Sequence, residues 1–426
     1  MNILLIQAYL GGTEPPVFPL GLSCIASSIE GHAIKAFDPN VSKDPHQELI
    51  HMLKGFQPDV IGISLRDIDS TNTRKVIFYY RYFKEIIDLL KANSPNHSKI
   101  IVGGSGFSMF ASKIMQDEPR IDFGVYLEGE KTFPELIRNL KDPHKVKGIF
   151  YRKNGRVLFT GSRDHVDLNM LPAPDRTIIG IEPYIGIPDA IGVETKRGCA
   201  LSCIYCIYGF LNGKRYRLRT AEKVADEIES LVSDSGVRSF IFVDSVFNIP
   251  LSHAEAICEE MIQRRINALW SAWFNEKYIT EEFVKLVRRA GCEKIMLSPD
   301  GFSDEVLFSL GKAMNKRDIL ETYDILKKID RMEVCYNFFK NPPAQSFYTF
   351  VKLLFFYLKA KMELKNRVHF EFNSIRIEPN TQLYEIASNE GMIDKGDNLL
   401  YPKFYSQRDT RYIERIFDLL LRIKGK

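Results

Sequence analysis

Apolar runs of strand length alternate with stretches of helical periodicity over the first 145 residues. The apolar runs predict buried strands at 2–7, 32–37, 59–65, 99–104 and 122–127. Between them, helical patterns are found near 19–30, 45–55 and 72–93, and after each of the last two strands. Strands that are apolar throughout and alternate with helices are typical of a parallel sheet covered on both faces. We therefore expect an open, doubly wound α/β domain at the start of the chain.

Small and polar residues follow the predicted strands. These segments are Gly11-Gly12, Arg66-Asp67, the run from Gly103 to Gly106, and the run from Glu128 to Glu130. Ligands of open α/β sheets bind at the carboxyl ends of the strands, near a topological switch point. Ordinary turn chemistry explains such residues equally well, and no G-x-G-x-x-G pattern follows the first strand.

The middle of the chain repeats the strand–helix alternation. FYRKNGRVLF (150–159) carries an Asn-Gly hairpin signal, and LPAPDR (171–176) is a proline-broken linker. Strands are then predicted near 191–196, 238–244, 268–274, 293–299, 333–339 and 369–377. Six strand–helix units are too few for a closed eightfold barrel, so we expect an open one. Ser252, Thr280 and Ser303 are candidate helix N-caps.

Cys199, Cys203 and Cys206 form a C-x3-C-x2-C spacing in the segment KRGCALSCIYCIYGF. Three thiolates this close together can bind three irons of a cubane cluster and leave the fourth iron without a protein ligand. That open iron can bind a small chelating molecule. The spacing therefore predicts a 4Fe-4S cluster with the three cysteines as metal ligands. It resembles the arrangement of radical S-adenosylmethionine enzymes, and this resemblance implies that the amino and carboxylate groups of S-adenosylmethionine bind the open iron and that the three cysteines are catalytic residues.

A zinc site or a disulfide framework accounts for the cysteines less well. A structural zinc site needs four protein ligands, and no second cysteine pair or His-x3-His lies nearby. A disulfide framework is not expected in a chain of this length with seven cysteines and no secretory signal. The remaining four cysteines are scattered, and we expect Cys258 and Cys335 to be buried as small apolar side chains.

Composition and charge narrow the class of protein. The chain has 426 residues, a hydrophobic content of 45% and a formal net charge of +4, so no nucleic-acid partner is implied. The longest apolar stretches, such as LLFFYL at 353–358, are too short to span a bilayer. MNILLIQAYL lacks the basic region of a secretory signal. We expect a cytoplasmic protein without a membrane span, in an anaerobic or low-oxygen setting.

An open α/β domain with VGGSGF (102–107) and LEGE (127–130), upstream of C-x3-C-x2-C, resembles a known superfamily. It is the cobalamin-binding radical S-adenosylmethionine (radical SAM) superfamily, and in particular the class B radical SAM methyltransferases. The resemblance covers nearly the whole chain. It implies an α/β fold: a flavodoxin-like (Rossmann-type) cobalamin-binding domain, a linker with a β-hairpin, a partial (β/α)6 radical SAM barrel and a short helical C-terminus. The corresponding ranges are 1–145, 146–190, 191–380 and 381–426.

The resemblance also implies a set of cobalamin-site residues. The family's glycine-rich loop packs against the corrin or its nucleotide tail, and the matching residues are Gly103, Gly104, Ser105, Gly106, Glu128 and Gly129. No D-x-H-x-x-G motif follows the first strand, so the lower face of cobalt is expected to lack a histidine ligand. By analogy Arg66 would fill that space as a catalytic residue. The simpler interpretation is that Arg66 pairs with Asp67 or Asp69 at the surface.

Strand ends of the barrel supply candidates for S-adenosylmethionine. Asp244 and Ser245 resemble the family's contact with the methionyl amino group, Ser298 and Asp300 could reach the ribose, and Arg376 could meet adenine or a carboxylate. Tyr205 and Tyr208 flank the cysteines, and Tyr205 is a candidate catalytic residue that could stack on or shield the cluster. A turn, a cap or a strand-end hydrogen bond explains each residue about as well.

The function implied by the resemblance is radical C-methylation. A methyl group of methylcobalamin would be transferred to an unactivated carbon activated by a 5′-deoxyadenosyl radical, and a ferredoxin or flavodoxin would supply electrons. Two alternatives stay open: an enzyme with the same cofactors but no net methylation (ring contraction or cyclisation), or a non-catalytic cobalamin-binding sensor. A methylthiotransferase is disfavoured because Cys24 is the only cysteine near the N-terminus. The short C-terminal region favours a large substrate, such as a protein side chain of methyl-coenzyme M reductase.

Overall fold

The fold is taken from a computed structural model, which describes residues 1–73 and 75–423. Contacts within the chain group these residues into two compact units. The first unit contains 1–70 and 76–192, and the second contains 71–75 and the chain from 193 onward. The segment 146–190, predicted as a linker with a hairpin, lies within the first unit.

The first unit is built from alternating strands and helices. In chain order they are β1 Asn2–Gln7, α1 Leu20–Ser27, β2 Ala33–Phe37, α2 Pro45–Phe56, β3 Val60–Ser64, α3 Tyr80–Asn93, β4 Lys99–Gly103, α4 Ser105–Asp117, β5 Phe123–Val125, α5 Thr132–Arg138, β6 Ile149–Lys153 and β7 Arg156–Phe159. The strands are apolar because both faces of the sheet are covered, and β1 is buried from Ile3 to Gln7.

The strand order of the first sheet is β2-β1-β3-β4-β5-β6-β7. The first five strands pair in parallel, which confirms the predicted doubly wound sheet. The order 2-1-3-4-5 is the flavodoxin-like one, with its switch point between β1 and β3. The predicted hairpin is confirmed as well. Asn154 and Gly155 have φ values of 51° and 74° in the turn between β6 and β7, and β6 extends the sheet antiparallel to β5.

Helix α3 starts later than its sequence periodicity predicts. The pattern suggested a helix from residue 72, but the helix begins at Tyr80. The chain before it forms an antiparallel bridge between Asp69 and Phe78, and the backbone N–H of Ser70 donates to Ile77 O. These non-local hydrogen bonds satisfy backbone groups that a longer helix would have used.

The second unit again alternates strands and helices. In chain order they are β8 Gly192–Val193, β9 Lys196–Arg197, α6 Tyr208–Leu211, β10 Arg217–Leu218, α7 Ala221–Ser233, β11 Ser239–Phe242, α8 Leu251–Gln263, β12 Leu269–Phe274, α9 Glu281–Arg289, β13 Cys292–Asp300, α10 Asp304–Ser309, α11 Lys316–Lys328, β14 Glu333–Phe339, α12 Phe347–Leu364, β15 Val368–Asn373, β16 Ile375–Arg376, α13 Gln382–Asn389, β17 Phe404–Tyr405 and α14 Arg411–Ile423.

The main sheet of this unit has the order β15-β14-β13-β12-β11-β8. Strands β11 to β15 pair in parallel, in sequence order, which confirms the predicted open succession of strand–helix units. Aromatic rings fill the interior beside β11 and β12. The ring centroids of Phe242 and Phe247 lie 4.6 Å apart, and those of Phe242 and Trp270 lie 4.9 Å apart.

Two of the three predicted helix N-caps are confirmed. The side chains of Thr280 and Ser303 accept hydrogen bonds from the backbone N–H groups of Phe283 and Val306. The third prediction, Ser252, is wrong because α8 already begins at Leu251 without a side-chain cap. In the part of the chain that the structure describes, no helix combines the length and the apolar character needed to cross a bilayer.

Candidate active site and cofactor-binding loops

The three clustered cysteines lie in one loop between two short paired strands. Strands β9 and β10 pair antiparallel, Arg197 opposite Arg217 and Lys196 opposite Leu218. Residues 198–216, which we call the cysteine loop, connect them. Because both ends of the loop are held by one ribbon, the positions of its thiols are constrained from both sides.

Backbone contacts fix the cysteine loop along its length. The N–H of Cys199 donates to Gly213 O over 3.0 Å, and that of Ile204 donates to Leu310 O over 3.0 Å. Gly198 has φ +93°, and a Cβ atom there would lie 2.0 Å from Arg215 O. Only glycine fits at this position, directly before the first cysteine.

The three thiols lie within electrostatic reach of each other. Burial, together with the neighbouring Cys203 and Cys199 thiols, raises the pKa of the Cys206 thiol to about 12. Burial also raises the pKa of Cys203, to which Cys199 contributes. Such thiols need a cationic partner to become thiolates, and bound iron supplies one.

The chemistry of the donor set is that of an iron–sulfur cluster. A cubane is held by cysteine thiolates, and each thiolate binds a different iron. Three thiols on one loop thus fit a 4Fe-4S cluster that keeps one iron open.

Tyr205, between the second and third cysteines, belongs to a buried polar network. Its hydroxyl donates to Asp300, which also pairs with Lys312. The Lys312 ammonium lies 5.5 Å from the Tyr205 ring centroid and donates to Ser298 O over 2.7 Å. Burial alone would lower the pKa of Lys312, but the Asp300 carboxylate and the other acidic groups around it, Cys203 among them, together hold that pKa above its usual range. The network ties the cysteine loop to the end of β13.

Lys312 is a site residue that the sequence did not indicate. Its side chain is only 9% exposed, and that of Asp300 is 5% exposed. The segment Leu310-Gly311-Lys312 after α10 offers one signal, a glycine with φ +69°. A Cβ at Gly311 would lie 2.4 Å from Ser202 O, so this turn packs directly on the cysteine loop.

Glu276, which follows β12, is a buried acid near this network. It is 3% exposed, and its Oε1 atom makes no hydrogen bond with the described residues. Burial raises its pKa to about 8, while the Lys312 charge opposes the shift and Asp300 and Asp318 add to it. The carboxyl group is therefore protonated at neutral pH.

We expect Glu276 to make the stability of the second unit depend on pH. Its pKa rises from 4.5 to about 8 on folding, so the folded chain holds one more proton between these values. Stability from this group is complete below pH 4.5 and is lost as the pH rises towards 8. From pH 6 to pH 8 the free energy of unfolding should fall by about 2 kcal/mol more in the wild type than in Glu276→Gln.

Urea unfolding followed by tryptophan fluorescence measures this difference. Both tryptophans, Trp270 and Trp273, lie in β12 of the second unit. Parallel pH profiles of the wild type and Glu276→Gln would contradict the prediction. Glu281→Gln is a matched control, because that carboxylate is exposed on α9 and pairs with Lys285.

Asp244 and Ser245, at the end of β11, are bound to the chain around the cysteines. The Asp244 carboxylate accepts from Thr195 N over 2.8 Å and pairs with Lys196 Nζ over 2.9 Å. The Ser245 hydroxyl donates to Gly198 O over 3.2 Å. Both residues thus support the cysteine loop, and their contact with S-adenosylmethionine stays a prediction.

Ser298, Asp300 and Arg376 also have partners within the second unit. Ser298 and Asp300 both contact Lys312. The Arg376 guanidinium pairs with Glu378 over 2.6 Å and donates to Leu399 O over 3.0 Å. Contacts of these three residues with S-adenosylmethionine remain predictions.

The glycine-rich loop of the first unit, residues 103–106, packs on the chain after β3. Gly104 has φ +103°, and a Cβ there would lie 2.6 Å from Leu65 O. A Cβ at Gly106 would lie 2.8 Å from Arg66 O, to which the Ser105 hydroxyl donates over 2.9 Å. The ends of β3 and β4 are therefore held together at the carboxyl edge of the sheet, where ligands of such sheets bind.

Replacing Gly104 by alanine should damage the first unit. The new Cβ would meet backbone atoms that cannot rotate away, at a φ value that alanine rarely adopts. We expect a loss of about 2–4 kcal/mol in stability and reduced cobalamin retention. Thermal unfolding and the corrin absorbance of purified protein measure both. At Gly103 a Cβ would make an ordinary 3.5 Å contact with Val125, so equal damage from Gly103→Ala would contradict the steric argument.

The other candidates of the first unit have intramolecular contacts. Arg66 Nε pairs with Asp67 over 2.8 Å, with side chains 44% and 38% exposed. This is the surface pair of the simpler interpretation, and a cobalt-facing role for Arg66 stays a prediction.

The Glu128 carboxylate accepts from Val166 N over 3.0 Å, and a Cβ at Gly129 would lie 2.7 Å from Ile25 Cδ1. Cobalamin contacts of Glu128 and Gly129 also stay predictions.

Two polar residues at the carboxyl edge of this sheet, Asp38 and Asn40, were not predicted from the sequence. Asp38 follows β2, is buried, and accepts from the Tyr184 hydroxyl over 2.6 Å. Asn40 accepts from Leu10 N over 2.8 Å and donates to Ala8 O over 3.0 Å. These bonds join the loops after β1 and β2. The signal in the sequence is the Asp-Pro-Asn turn after an apolar strand.

Two family profiles match the chain. The B12 binding domain matches residues 6–137, and the Radical SAM superfamily matches residues 193–340. The first range runs from the end of β1 through β5 and α5 and includes the glycine-rich loop, and the second covers the cysteine loop and β11 to β14. The predicted cofactors, a 4Fe-4S cluster, S-adenosylmethionine and cobalamin, are those of these two families.

Individual proteins agree with the two profiles. An uncharacterized methyltransferase of Pyrococcus horikoshii (PH0819) is 26% identical over 330 residues, covering 76% of this chain and 69% of the relative. The anaerobic magnesium-protoporphyrin IX monomethyl ester cyclase of Cereibacter sphaeroides is 26% identical over 340 residues. That alignment covers 76% of this chain but only 53% of the cyclase.

A solved structure shares the fold over most of the chain. The radical S-adenosylmethionine methyltransferase TsrM of Kitasatospora setae, with cobalamin and a 4Fe-4S cluster bound, superposes with a TM-score of 0.78. It is 20% identical, and the match covers 91% of this chain and 78% of TsrM. The predicted enzyme class, a cobalamin-dependent radical SAM methyltransferase, is the class to which this structural neighbour belongs. The chain therefore combines a match to the B12 binding domain, over residues 6–137, with a match to the Radical SAM superfamily, over residues 193–340, which is the combination that the resemblance implies.

Proposed function

We propose that the protein is a cobalamin-dependent radical SAM C-methyltransferase. Residues 1–145 would hold cobalamin, and residues 191–380 would hold the cluster and S-adenosylmethionine. The observation that carries the proposal is the cysteine loop, whose three thiols suit a cluster with one open iron. When bound, the cluster and S-adenosylmethionine supply a 5′-deoxyadenosyl radical, and cobalamin supplies the methyl group.

The chain's own residues position and shield this chemistry. The hydrogen bond from Ser245 to Gly198 and the packing of Gly311 on Ser202 hold the cysteine loop in place. Tyr205 is fixed beside the cysteines by Asp300 and would limit access of water. Preorganised positions and exclusion of water are the main contributions that a protein makes to radical reactions.

The substrate that we propose is a carbon atom of a protein side chain, such as one in methyl-coenzyme M reductase. What supports it is the resemblance to class B methyltransferases. Synthetic peptides from that reductase, incubated with the reconstituted enzyme, should gain one methyl mass at a single residue in tandem mass spectrometry. Scrambled peptides of the same composition are the control. A product with a small molecule and none with any peptide would contradict this substrate class.

Cyclisation without net methylation is the second candidate. It is favoured by the similarity to the cyclase of Cereibacter sphaeroides and to two further cyclases, of Rubrivivax gelatinosus and a Synechocystis species. A cyclase would form 5′-deoxyadenosine without S-adenosylhomocysteine. A methylase would form both, because a second S-adenosylmethionine restores the methyl group.

An anaerobic assay tests the proposed function directly. Purified, cluster-reconstituted protein would be incubated with cobalamin, S-adenosylmethionine and dithionite, and both nucleoside products quantified. We expect both products, and 5′-deoxyadenosine alone would favour the cyclase. Neither product, with cluster and cobalamin bound and candidate substrates supplied, would leave the non-catalytic sensor.

A further inference from the structure

The chain around the cysteine loop is strongly basic. From Lys196 to Arg219 it contains six basic residues and no acidic one. Such a run usually reflects a solvated surface or structural ion pairs, so the partners of each residue decide what the charge does.

Most of these basic residues are used within the second unit. Lys196 pairs with Asp244, Arg197 with Glu194 and Arg219 with Glu227, and the Arg217 guanidinium donates to Asn212 O. Lys214 and Arg215 differ from them. Both are exposed, and within residues 1–73 and 75–423 the structure shows no ion pair or hydrogen bond of their side chains.

Lys214 and Arg215 lie next to two of the three cysteines. The residue before them, Gly213, accepts the hydrogen bond of Cys199 N over 3.0 Å. The residue after them, Tyr216, places its hydroxyl 3.9 Å from Cys199 Sγ. We call residues 213–216 the basic turn. Its two positive charges, Lys214 and Arg215, are each adjacent in the chain to a residue that contacts Cys199.

The basic turn also covers the helix that follows the third cysteine. A Cβ at Gly209 of α6 would lie 3.6 Å and 3.8 Å from Lys214 Cγ and Cε. The aliphatic part of Lys214 therefore lies over α6, three residues after Cys206, while its residue remains exposed. A protein that binds the basic turn would therefore lie close to the cysteine loop and to the cluster that we predict there.

We propose that Lys214 and Arg215 are the docking site of a small acidic electron-carrier protein with a low-potential flavin or iron–sulfur centre. The inference rests on the proposed function, which requires electrons. One electron leaves the reduced carrier and enters the cluster, and no bond or proton changes at the docking surface. Carboxylates on the carrier would meet the two positive charges, which steers the encounter and makes it sensitive to salt.

Binding to oxidised flavodoxin tests the proposal without turnover. Isothermal titration of the cluster-loaded enzyme would compare the wild type with the double variant Lys214→Glu, Arg215→Glu at low and high salt. We expect Kd to rise about tenfold in the variant at low salt and the difference to shrink near 1 M salt.

The β6–β7 hairpin offers a matched control. Lys153 and Arg156 are an exposed Lys/Arg pair flanking a turn in the first unit. Lys153→Glu, Arg156→Glu changes the net charge by the same amount and should leave Kd unchanged. Three outcomes would overturn the proposal. The wild type and the Lys214→Glu, Arg215→Glu variant could have equal Kd values, the wild type could show no detectable binding, or the hairpin control could weaken binding by the same factor.

The rate of 5′-deoxyadenosine formation separates docking from folding. With reduced flavodoxin the Lys214→Glu, Arg215→Glu variant should be slower, whereas with dithionite, a small reductant, it should match the wild type. Loss with both reductants at unchanged cluster content would mean that the turn positions the cluster, which overturns docking. If the wild type forms no product with either reductant, the proposed function fails, and the Kd comparison still decides the docking site.

Binding of other polyanions to the basic turn completes the test. Heparin and vesicles containing anionic lipid would be titrated against wild-type enzyme and the Lys214→Glu, Arg215→Glu variant. Tight binding of either polyanion through the basic turn, with no binding of flavodoxin, would assign the surface to a different partner and overturn the proposal.

Discussion

Replacement of Cys203 by alanine is expected to remove the cluster and abolish 5′-deoxyadenosine formation. Cys203 is the middle cysteine of the loop and lies within electrostatic reach of both Cys199 and Cys206. With two thiolates left, a cubane would have two irons without a protein ligand and would not be retained. Iron content should fall from about four atoms per chain to near zero, and the nucleoside product to the level without enzyme.

Cys335→Ala is the control for this experiment. Cys335 lies on β14, outside the cysteine loop, and its replacement should leave iron content and product formation unchanged. If Cys203→Ala kept a full cluster, or if both variants lost it equally, the three-cysteine ligand set would be wrong. Circular dichroism of both variants would show whether the barrel is still folded.

Replacement of Lys312 by methionine is expected to destabilise the second unit by about 3–5 kcal/mol. The change leaves Asp300 buried without its cationic partner, and Asp300 also accepts the hydrogen bond from Tyr205. Removing one member of a buried pair costs more than the pair contributes, because the remaining charge has lost its solvent as well. Urea unfolding followed by the fluorescence of Trp270 and Trp273 would measure the loss.

A double-mutant cycle identifies the cause. Asp300→Asn suits the backbone, because Asp300 has φ +64° and asparagine tolerates that region well. In the Asp300→Asn, Lys312→Met double variant neither charge of this pair is left. Its loss of stability should therefore be smaller than the sum of the two single losses by about 1–3 kcal/mol. Additive losses would show that Lys312 acts through packing alone.

Local patterns were enough to predict most of the secondary structure, and the prediction of the cluster ligands rests on a local pattern as well. Parallel strands such as β1 and β3 are covered on both faces, so they appear in the sequence as continuous apolar runs. The Asn154-Gly155 turn is just as local, since both residues must adopt positive φ. The cysteine spacing is informative for the same reason, because the three predicted ligands of one cluster lie within eight consecutive residues.

The sequence by itself therefore determined the two α/β parts of this protein and its hairpin, and it indicated the three cysteines that we predict to bind the cluster. Only the tertiary structure decided what surrounds them. Tyr205, Asp300 and Lys312 are far apart in the chain and meet only because β13 and the turn after α10 pack on the cysteine loop. The burial of Glu276 and the exposure of Lys214 and Arg215 are likewise invisible in the sequence. A side chain's partners, its burial and hence its pKa depend on long-range packing, which no local periodicity encodes.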